Sequence, residues 1–330
     1  MIRMSVRLAG TAVLVALSLP VCSAVAQEQV PAAPAQEPSA PAPTAVPEFP
    51  KASPDNFTAT SPTKEVINAF LQATWGFDEN RIWQIQAILK TPVEGVSKVV
   101  IIVGDKTGKQ KFSAMGFYVM PDGKHIIAGD EIVRFGDHPY AEDRALLQQK
   151  ADGPYRGSAM KDLELVEFAD FECPHCKEAE ANMDKLAVDF PKARIVFQNY
   201  PLAKLHAAAV TAASYGVCVD KMGGSTAFFQ FASAVFEGQE GLATADGAQL
   251  TLNSAVTKAG LDPAKVATCA ATPAVASTVQ ASVKLAQDMN INQTPTLMVN
   301  GRQVPIGGVP YETLKQIVAY QAKLDGVVGQ

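Results

Sequence analysis

The sequence predicts an α/β protein in which a small α+β domain precedes a larger α/β domain with a helical insertion. Three patterns support this prediction. An apolar run at 163–168 reads as a buried strand and leads into a helix that opens with the Cys-Pro-His-Cys motif at 173–176. A run of short strands with hairpin turns covers 98–135. Helical periodicity continues over 206–290, ahead of a β-hairpin at 296–305.

Length and charge limit the possible classes. The chain has 330 residues, a net charge of −5 and a pI near 5.5. This length suffices for two folded domains with flexible segments besides. No basic stretch is present that could follow a phosphate backbone, so the sequence predicts no nucleic-acid partner.

The first residues are typical of a secretory signal peptide, assigned to 1–26. Two arginines precede an apolar segment at 8–19. A small-x-small site predicts cleavage near Ala26, which would make Gln27 the first residue of the mature protein. Export would place the protein in the oxidising periplasm. Two alternatives stay open: an uncleaved membrane anchor, although the apolar core is short for a bilayer, and a lipoprotein attached through Cys22.

Four further segments follow from composition and periodicity. Residues 27–57 are rich in proline and alanine and predict a disordered linker. An N-terminal α+β domain covers 58–137, a linker with one helix covers 138–157, and the α/β domain covers 158–330. The elements expected in the first domain are helices at 64–73 and 79–89 and strands at 98–103, 112–120, 125–127 and 131–135.

The second domain has a recognisable order of elements. We expect, in order, a strand at 163–168, a helix at 173–188, a strand at 193–197, helices at 206–220, 225–237, 246–259 and 274–290, strands at 296–299 and 302–305, and a helix at 311–324. With Cys-x-x-Cys at the start of its first helix, this order predicts a thioredoxin fold with a helical insertion.

The Cys-Pro-His-Cys motif predicts redox chemistry. Cys173 is the expected nucleophile, because unpaired N–H groups and the dipole at a helix N-terminus favour a thiolate. His175 would stabilise this thiolate further, and a stable thiolate makes the disulfide a strong oxidant. Cys176, inside the first turn, is the expected resolving thiol. Pro174 suits the first helical position because its fixed φ is helical.

Two further elements are expected at this site. Thr294 and Pro295 precede the strand at 296–299, where a cis peptide bond would face the cysteines and bind a substrate strand. Glu167 lies on the preceding strand and should point inward beneath the site. There, burial would raise its pKa, and it could exchange a proton with Cys176. The alternative is a partly solvated strand residue with no such role.

Two more cysteines remain in the exported chain, Cys218 and Cys269. Because Cys173 and Cys176 lie so close together, they are expected to pair with each other. Cys218 and Cys269 are then left to form a structural disulfide. The alternatives are two unrelated buried thiols, or a zinc site shared with the motif. The sequence predicts no metal and no cofactor. His206 is expected at a helix start, in a helix-end or core role.

These motifs resemble those of the bacterial periplasmic Dsb family of thiol–disulfide oxidoreductases. Residues of about 160–327 are similar to the A-type members, which oxidise exported proteins. In those relatives a second, structural disulfide is common where Cys218 and Cys269 lie. The motifs that carry the resemblance are Cys173-Pro174-His175-Cys176, Glu167, Asn199-Tyr200-Pro201-Leu202 with His206, Thr294-Pro295-Thr296 and Val299-Asn300-Gly301.

The N-terminal domain resembles a different branch of the same family. Residues 121–129 are similar to the β-hairpin of the cystatin-like dimerisation domain in the C-type and G-type isomerases, which form V-shaped homodimers. The resemblance implies a homodimer formed through 58–137. The motif departs from the C-type pattern, since Pro174-His175 replaces Gly-Tyr, whereas Thr294 before the proline is the residue that isomerases usually carry.

Together these features predict a periplasmic thiol–disulfide oxidoreductase that acts on exported proteins through mixed disulfides, as an isomerase, an oxidase or both. The expected partners are unfolded or misfolded exported proteins, a second copy of the chain and a DsbB- or DsbD-like membrane redox partner. Two alternatives are kept. The chain could be a non-enzymatic holdase chaperone, or a dedicated reductant for one partner.

Overall fold

A computed structural model describes residues 48–327 of the chain. The predicted signal peptide at 1–26 lies outside the described residues, as does most of the predicted linker at 27–57. Among the residues that are described, no helix is both long enough and apolar enough to cross a membrane.

The N-terminal domain is an antiparallel sheet with one helix packed on it. Thr63 caps the helix by accepting a hydrogen bond from the backbone N–H of Val66, and Ile67, Phe70 and Leu71 face the sheet. The strands pair in chain order, β1 to β5, so each joins the next through a short turn. The elements are α1 (Lys64–Trp75), β1 (Arg81–Lys90), β2 (Ser97–Asp105), β3 (Ser113–Val119), β4 (His125–Ala128) and β5 (Glu131–Arg134). The cystatin-like character of this domain stays a prediction.

One expected element of this domain is wrong. The sequence predicted a helix at 79–89, where the structure has strand β1. Ile85 and Ile88 lie three residues apart, a spacing typical of one helix face, and both pack in the core. The strand achieves this because its pairing with β2 shifts between Ile85 and Ala87, as at a β-bulge, which changes the alternation of its faces.

The end of the predicted linker at 27–57 also differs from the expected disorder, because it packs on the sheet. Phe49 stacks on Phe112, with ring centroids 4.6 Å apart. Phe57 forms a parallel bridge with Ile88 of β1. Since β1 is an outer strand of the sheet, this segment covers an edge that would otherwise be open.

The second sheet has the strand order β10-β9-β7-β8-β6. All six residues of its central strand β7 are buried, and it pairs in parallel with β8 and antiparallel with β9. The short strand β6 lies in the predicted linker at 138–157 but joins this sheet through β8. The elements are α2 (Ala141–Lys150), β6 (Tyr155–Gly157), β7 (Glu164–Ala169), α3 (Pro174–Asp189), β8 (Arg194–Asn199), β9 (Thr296–Val299), β10 (Arg302–Pro305) and α8 (Tyr311–Leu324).

The helical insertion lies between β8 and β9. Its first helix is interrupted at Gly224, whose φ of 72° is not helical, near the break expected between residues 220 and 225. One helix, α6, was not predicted; it begins after Asp262, whose carboxylate caps it. The elements are α4 (Ala209–Glu237), a 3-10 turn (Gln239–Ala243), α5 (Ala245–Lys258), α6 (Pro263–Ala270) and α7 (Pro273–Asp288). The thioredoxin fold with a helical insertion is thereby confirmed.

The N-terminal domain docks on the second domain through the end of α1. The guanidinium of Arg302 donates to the carbonyl oxygen of Ala73 at 3.2 Å and to that of Thr74. The hydroxyl of Tyr320 donates to the carbonyl oxygen of Gln72 at 2.6 Å. Carbonyl groups at a helix C-terminus lack partners within the helix, so these bonds satisfy groups that α1 leaves open.

Candidate active site

The two motif cysteines lie where β7 gives way to α3. Cys173 is the N-cap residue of the helix, with an extended backbone (φ −77°, ψ 120°), and Pro174 takes the first helical position. Cys173 is 5% exposed and Cys176 is fully buried. Both are free thiols in this structure, which therefore shows the dithiol form of the site.

The surroundings of Cys173 favour its thiolate. Its pKa is lowered to about 5, first by a hydrogen bond from the thiol of Cys176 and further by the side chain of Thr294, while partial burial opposes the shift. Backbone N–H groups of His175 and Cys176 at the start of the helix add to the effect. Cys173 is therefore suited to act both as a nucleophile and as a leaving group.

Cys176 has the opposite electrostatic environment. Burial is the main reason that its pKa is raised well above the ordinary value, and the charges of Cys173 and Glu167 act in the same direction. The backbone N–H of Asp170 donates to its sulfur at 3.4 Å. The two sulfurs thus differ in the way that an attacking and a resolving thiol should differ.

The predicted substrate-binding residues lie opposite Cys173. The peptide bond between Thr294 and Pro295 is cis. The carbonyl oxygen of Thr294 is 3.5 Å from the sulfur of Cys173. The hydroxyl of Thr294 is buried, and the side chain of Thr294 lowers the pKa of Cys173. This loop therefore lies directly beside the sulfur of Cys173.

His175 projects outward from the helix. Its Nδ1 atom lies 3.0 Å from a carboxylate oxygen of Glu178. The hydrogen bond to Glu178 is the main cause that raises the pKa of His175, and the charge of Cys173 contributes. An imidazolium held in this position is well placed to stabilise the Cys173 thiolate.

Glu167 lies on β7, inside the protein, as the sequence indicated. It is 2% exposed. Burial first, and then the charge of Glu180, raise its pKa to about 8, while Arg156 opposes the shift. Arg156 in turn lies 3.4 Å from Glu180 and 2.6 Å from Asp184. Arg156, Glu180 and Asp184 line a groove of about 890 Å³ beside α3. The sequence did not indicate these three residues.

Other residues at the site were also missed. Gln239 donates through one amide nitrogen to the carbonyl oxygens of Phe171 and Cys173, each at 2.9 Å. His206, expected at a helix start, lies in a loop before α4 and bonds to Asp170. Asp170 stands three residues before the first cysteine, but nothing in the sequence indicates its distant partners.

Cys218 and Cys269 form a disulfide, with an S–S distance of 2.05 Å, that joins α4 to α6. Cys218 is fully buried in the core of the helical insertion, and Cys269 packs against that core. Both alternatives, unrelated thiols and shared zinc ligands, disagree with this bond.

Comparison with known sequences identifies the class to which this fold and site belong. A family model described as Thioredoxin matches residues 149–319, more than half of the chain. The chain therefore belongs to this thioredoxin family, which confirms the family prediction at that level.

Three curated relatives, each named as a Na(+)/H(+) antiporter, match a part of the chain. The Na(+)/H(+) antiporter NhaA 3 of Salinispora tropica is 30% identical over 148 residues, which are 45% of this chain and 22% of that protein. The Na(+)/H(+) antiporter NhaA 1 of Mycolicibacterium vanbaalenii is 28% identical over 165 residues, which are 49% of this chain and 24% of that protein. The match thus spans less than a quarter of these relatives.

Solved structures show a partial likeness. ScsC of Proteus mirabilis, in a transitional conformation, has 22% identity and a TM-score of 0.45, and the match covers 55% of this chain and 76% of that one. A thioredoxin-like oxidoreductase from Silicibacter pomeroyi DSS-3 has 25% identity and a TM-score of 0.46, and the match covers 55% and 98%. The family assignment rests on the sequence match and not on these similarities.

Proposed function

We propose that this chain is a thiol–disulfide oxidoreductase that exchanges disulfides with exported proteins through Cys173. The observation that carries the proposal is the pairing of two unlike thiols. Cys173 has a pKa lowered to about 5 at the start of α3, and the buried Cys176 stands directly behind it. Such a pair is suited to form and release a mixed disulfide.

The oxidising reaction has two steps. A substrate thiolate attacks the sulfur of Cys173 in the Cys173–Cys176 disulfide, a mixed disulfide forms, and Cys176 leaves and takes up a proton. A second substrate thiolate then attacks the substrate sulfur of the mixed disulfide, which releases Cys173 as a thiolate and the substrate as a disulfide. A leaving group of low pKa favours this second step. Isomerisation would begin instead from the Cys173 thiolate, which attacks a wrong substrate disulfide.

We also propose that Glu167 supplies or removes the proton at Cys176. Two observations support this role: the pKa of Glu167 is raised to about 8, and its charge raises the pKa of Cys176. A carboxyl group with a pKa near the working pH is suited to general acid–base catalysis.

The active-site proposal is tested with single-cysteine variants, with reduced, unfolded ribonuclease as the substrate and oxidised glutathione as the oxidant. Cys176→Ala should accumulate a mixed disulfide with ribonuclease, visible on a non-reducing gel, and Cys173→Ala should not. The wild-type protein should restore ribonuclease activity, and neither variant should do so at the wild-type rate. If the double variant still protects unfolded ribonuclease from aggregation as well as the wild type does, the holdase alternative gains support.

We propose further that the chain forms a homodimer through the N-terminal sheet at 58–137. Tyr118, Ile127 and Ile132 follow one another across β3, β4 and β5 as paired neighbours on one face. Tyr118 is 42% exposed and Ile132 is 68% exposed. An apolar row that ends at an open outer strand is a suitable surface for a second copy.

Light scattering on the intact chain tests this dimer. Ile132→Asp should give a monomer, while Val188→Asp, at a 78% exposed position on α3, should keep the wild-type mass. A dimer would shield a cleft between its two sites, which favours isomerase work, so Ile132→Asp should also lower the reactivation of scrambled ribonuclease. A wild-type monomer would contradict the dimer and favour oxidase work.

A periplasmic location and a DsbB- or DsbD-like membrane redox partner are parts of the same proposal. Recovery of the protein in a periplasmic extract tests the location.

A further inference from the structure

The loop before Cys173 is tied to the segment between β8 and α4 by one buried carboxylate. Oδ2 of Asp170 accepts hydrogen bonds from the backbone N–H of Leu202 at 2.7 Å and from Nδ1 of His206 at 2.8 Å. Oδ1 accepts from the backbone N–H of Glu172 at 2.8 Å. The side chain of Asp170 is fully buried and that of His206 is 20% exposed. Both carboxylate oxygens therefore have partners, as a buried carboxylate requires.

The backbone of the same residue contacts both cysteines. The N–H of Asp170 donates to the sulfur of Cys176 at 3.4 Å. The carbonyl oxygen of Asp170 accepts from the backbone N–H of Cys173 at 3.1 Å. A side chain that fixes Asp170 in place thus also fixes two contacts with the reactive pair. The side chain of His206 bonds to Asp170, so any effect that it has through this bond reaches the sulfurs by way of Asp170.

We propose that Asp170 and His206 are positioning residues that hold the Asp170 N–H on the Cys176 sulfur and thereby favour the dithiol form of the pair. This inference rests on the proposed function of the same site. A second bond between the two segments, from the backbone N–H of Ala208 to the Glu172 carboxylate at 2.8 Å, supports the same arrangement.

The physical reason lies in a chain of three groups. The Asp170 N–H donates to the Cys176 sulfur, and the Cys176 thiol donates to the Cys173 thiolate, the bond that lowers the pKa of Cys173 most. Successive hydrogen bonds polarise one another, so the first bond makes Cys176 a better donor. In the disulfide form Cys176 carries no proton to donate. Loss of the Asp170 contact should therefore destabilise the dithiol more than the disulfide.

The redox equilibrium with glutathione measures this effect in the full chain. In this reaction two glutathione thiols reduce the Cys173–Cys176 disulfide, which gives the protein dithiol and one glutathione disulfide. His206→Ala should lower the equilibrium constant for reduction about fivefold, as expected for the loss of one net hydrogen bond. His206→Asn, which restores a side-chain N–H donor, should return it to within about twofold of the wild type. His138→Ala, at an exposed histidine, is the matched control.

A second measurement does not depend on disulfide exchange with glutathione. Thiolate absorbance at 240 nm, followed against pH in the reduced protein, should show a higher pKa for Cys173 in His206→Ala and a wild-type value in His138→Ala. If His206→Ala lowers only the melting temperature, and leaves the equilibrium constant and the thiolate pKa at wild-type values, the positioning role is wrong. If the wild-type protein fails to equilibrate with glutathione, the proposed function fails, and the absorbance titration still decides the role of His206.

Discussion

The side-chain amide of Gln239 donates to the carbonyl oxygen of Cys173 at 2.9 Å across a sequence separation of 66 residues. The same nitrogen donates to the carbonyl oxygen of Phe171, also at 2.9 Å. The 3-10 turn that carries Gln239 belongs to the helical insertion, so the insertion holds the loop from which the active-site helix begins. The insertion is thus connected directly to the backbone of Cys173.

Replacing Gln239 should affect both stability and reactivity. Gln239→Ala leaves two part-buried carbonyl groups without this donor, and we expect the free energy of unfolding to fall by about 1–3 kcal/mol. The alkylation rate of Cys173 should change as well. Gln249→Ala, which removes an amide bonded to Tyr215 and Asn253 in the same insertion, is the control and should leave that rate unchanged. Equal rates in the two variants would contradict the connection.

The reduced protein should react with iodoacetamide even at acidic pH. Because the pKa of Cys173 is lowered to about 5, its alkylation rate should rise with a midpoint near pH 5 and level off above pH 7. Thr294→Val removes a hydroxyl that lowers this pKa, so the midpoint should move upward by about half a pH unit to one. Thr278→Val, on α7, should not move it. An unchanged midpoint in Thr294→Val would show that the hydroxyl does not reach the thiolate.

Glu167 should make the protein less stable as the pH rises. Its pKa is raised to about 8 in the folded protein by burial, against about 4.3 in an unfolded chain. Between these values the folded protein keeps a proton that the unfolded chain releases, so its stabilising contribution is complete below pH 4 and is lost as the pH passes 8.

Glu167→Gln should remove this dependence. At pH 9 we expect its free energy of unfolding to exceed the wild-type value by up to about 5 kcal/mol, which follows from the difference between the folded and unfolded pKa values, with near equality at pH 4. Urea titrations at both pH values measure the difference. Glu94→Gln, on an exposed loop, should follow the wild type at both. A constant difference between Glu167→Gln and the wild type would mean that the group does not titrate in this range.

Removing the Cys218–Cys269 disulfide should cost stability without changing the redox site. The bond closes a segment with a sequence separation of 51 residues, for which loop-closure entropy predicts a loss of about 4 kcal/mol. Urea unfolding of the Cys218→Ala/Cys269→Ala variant measures this loss, and the alkylation midpoint of Cys173 should stay at its wild-type value. A moved midpoint would mean that the disulfide also shapes the active site.

Local patterns were sufficient to predict most of the fold. The hairpin of β9 and β10 and the helix α8 begin and end where the sequence placed them, because Asn300-Gly301 and the apolar spacing of α8 are local signals. The strand β1 was mistaken for a helix because a change of register is set by its partner strand. The strand β6 has three residues, too few for any periodicity to appear.

The residues of the candidate site also fall into two groups: those that a local sequence pattern indicates, and those that only the fold brings together. The motif residues are contiguous in sequence, and the alternation of side chains along β7 predicts that Glu167 points inward. The contacts of Asp170 with His206 and of Gln239 with Cys173 join residues 36 and 66 positions apart. Such contacts arise from the packing of the insertion, and no local pattern indicates them.

The docking of the N-terminal domain has a consequence for access to the thiol. Arg302, which bonds to the end of α1, pairs with Val299 at the turn of the β9–β10 hairpin, whereas Thr296 pairs with Pro305 at the other end. The cis-proline and Cys173 lie at that other end. A ligand or surface that holds the N-terminal sheet of one chain therefore does not lie over the sulfur of Cys173 in the same chain.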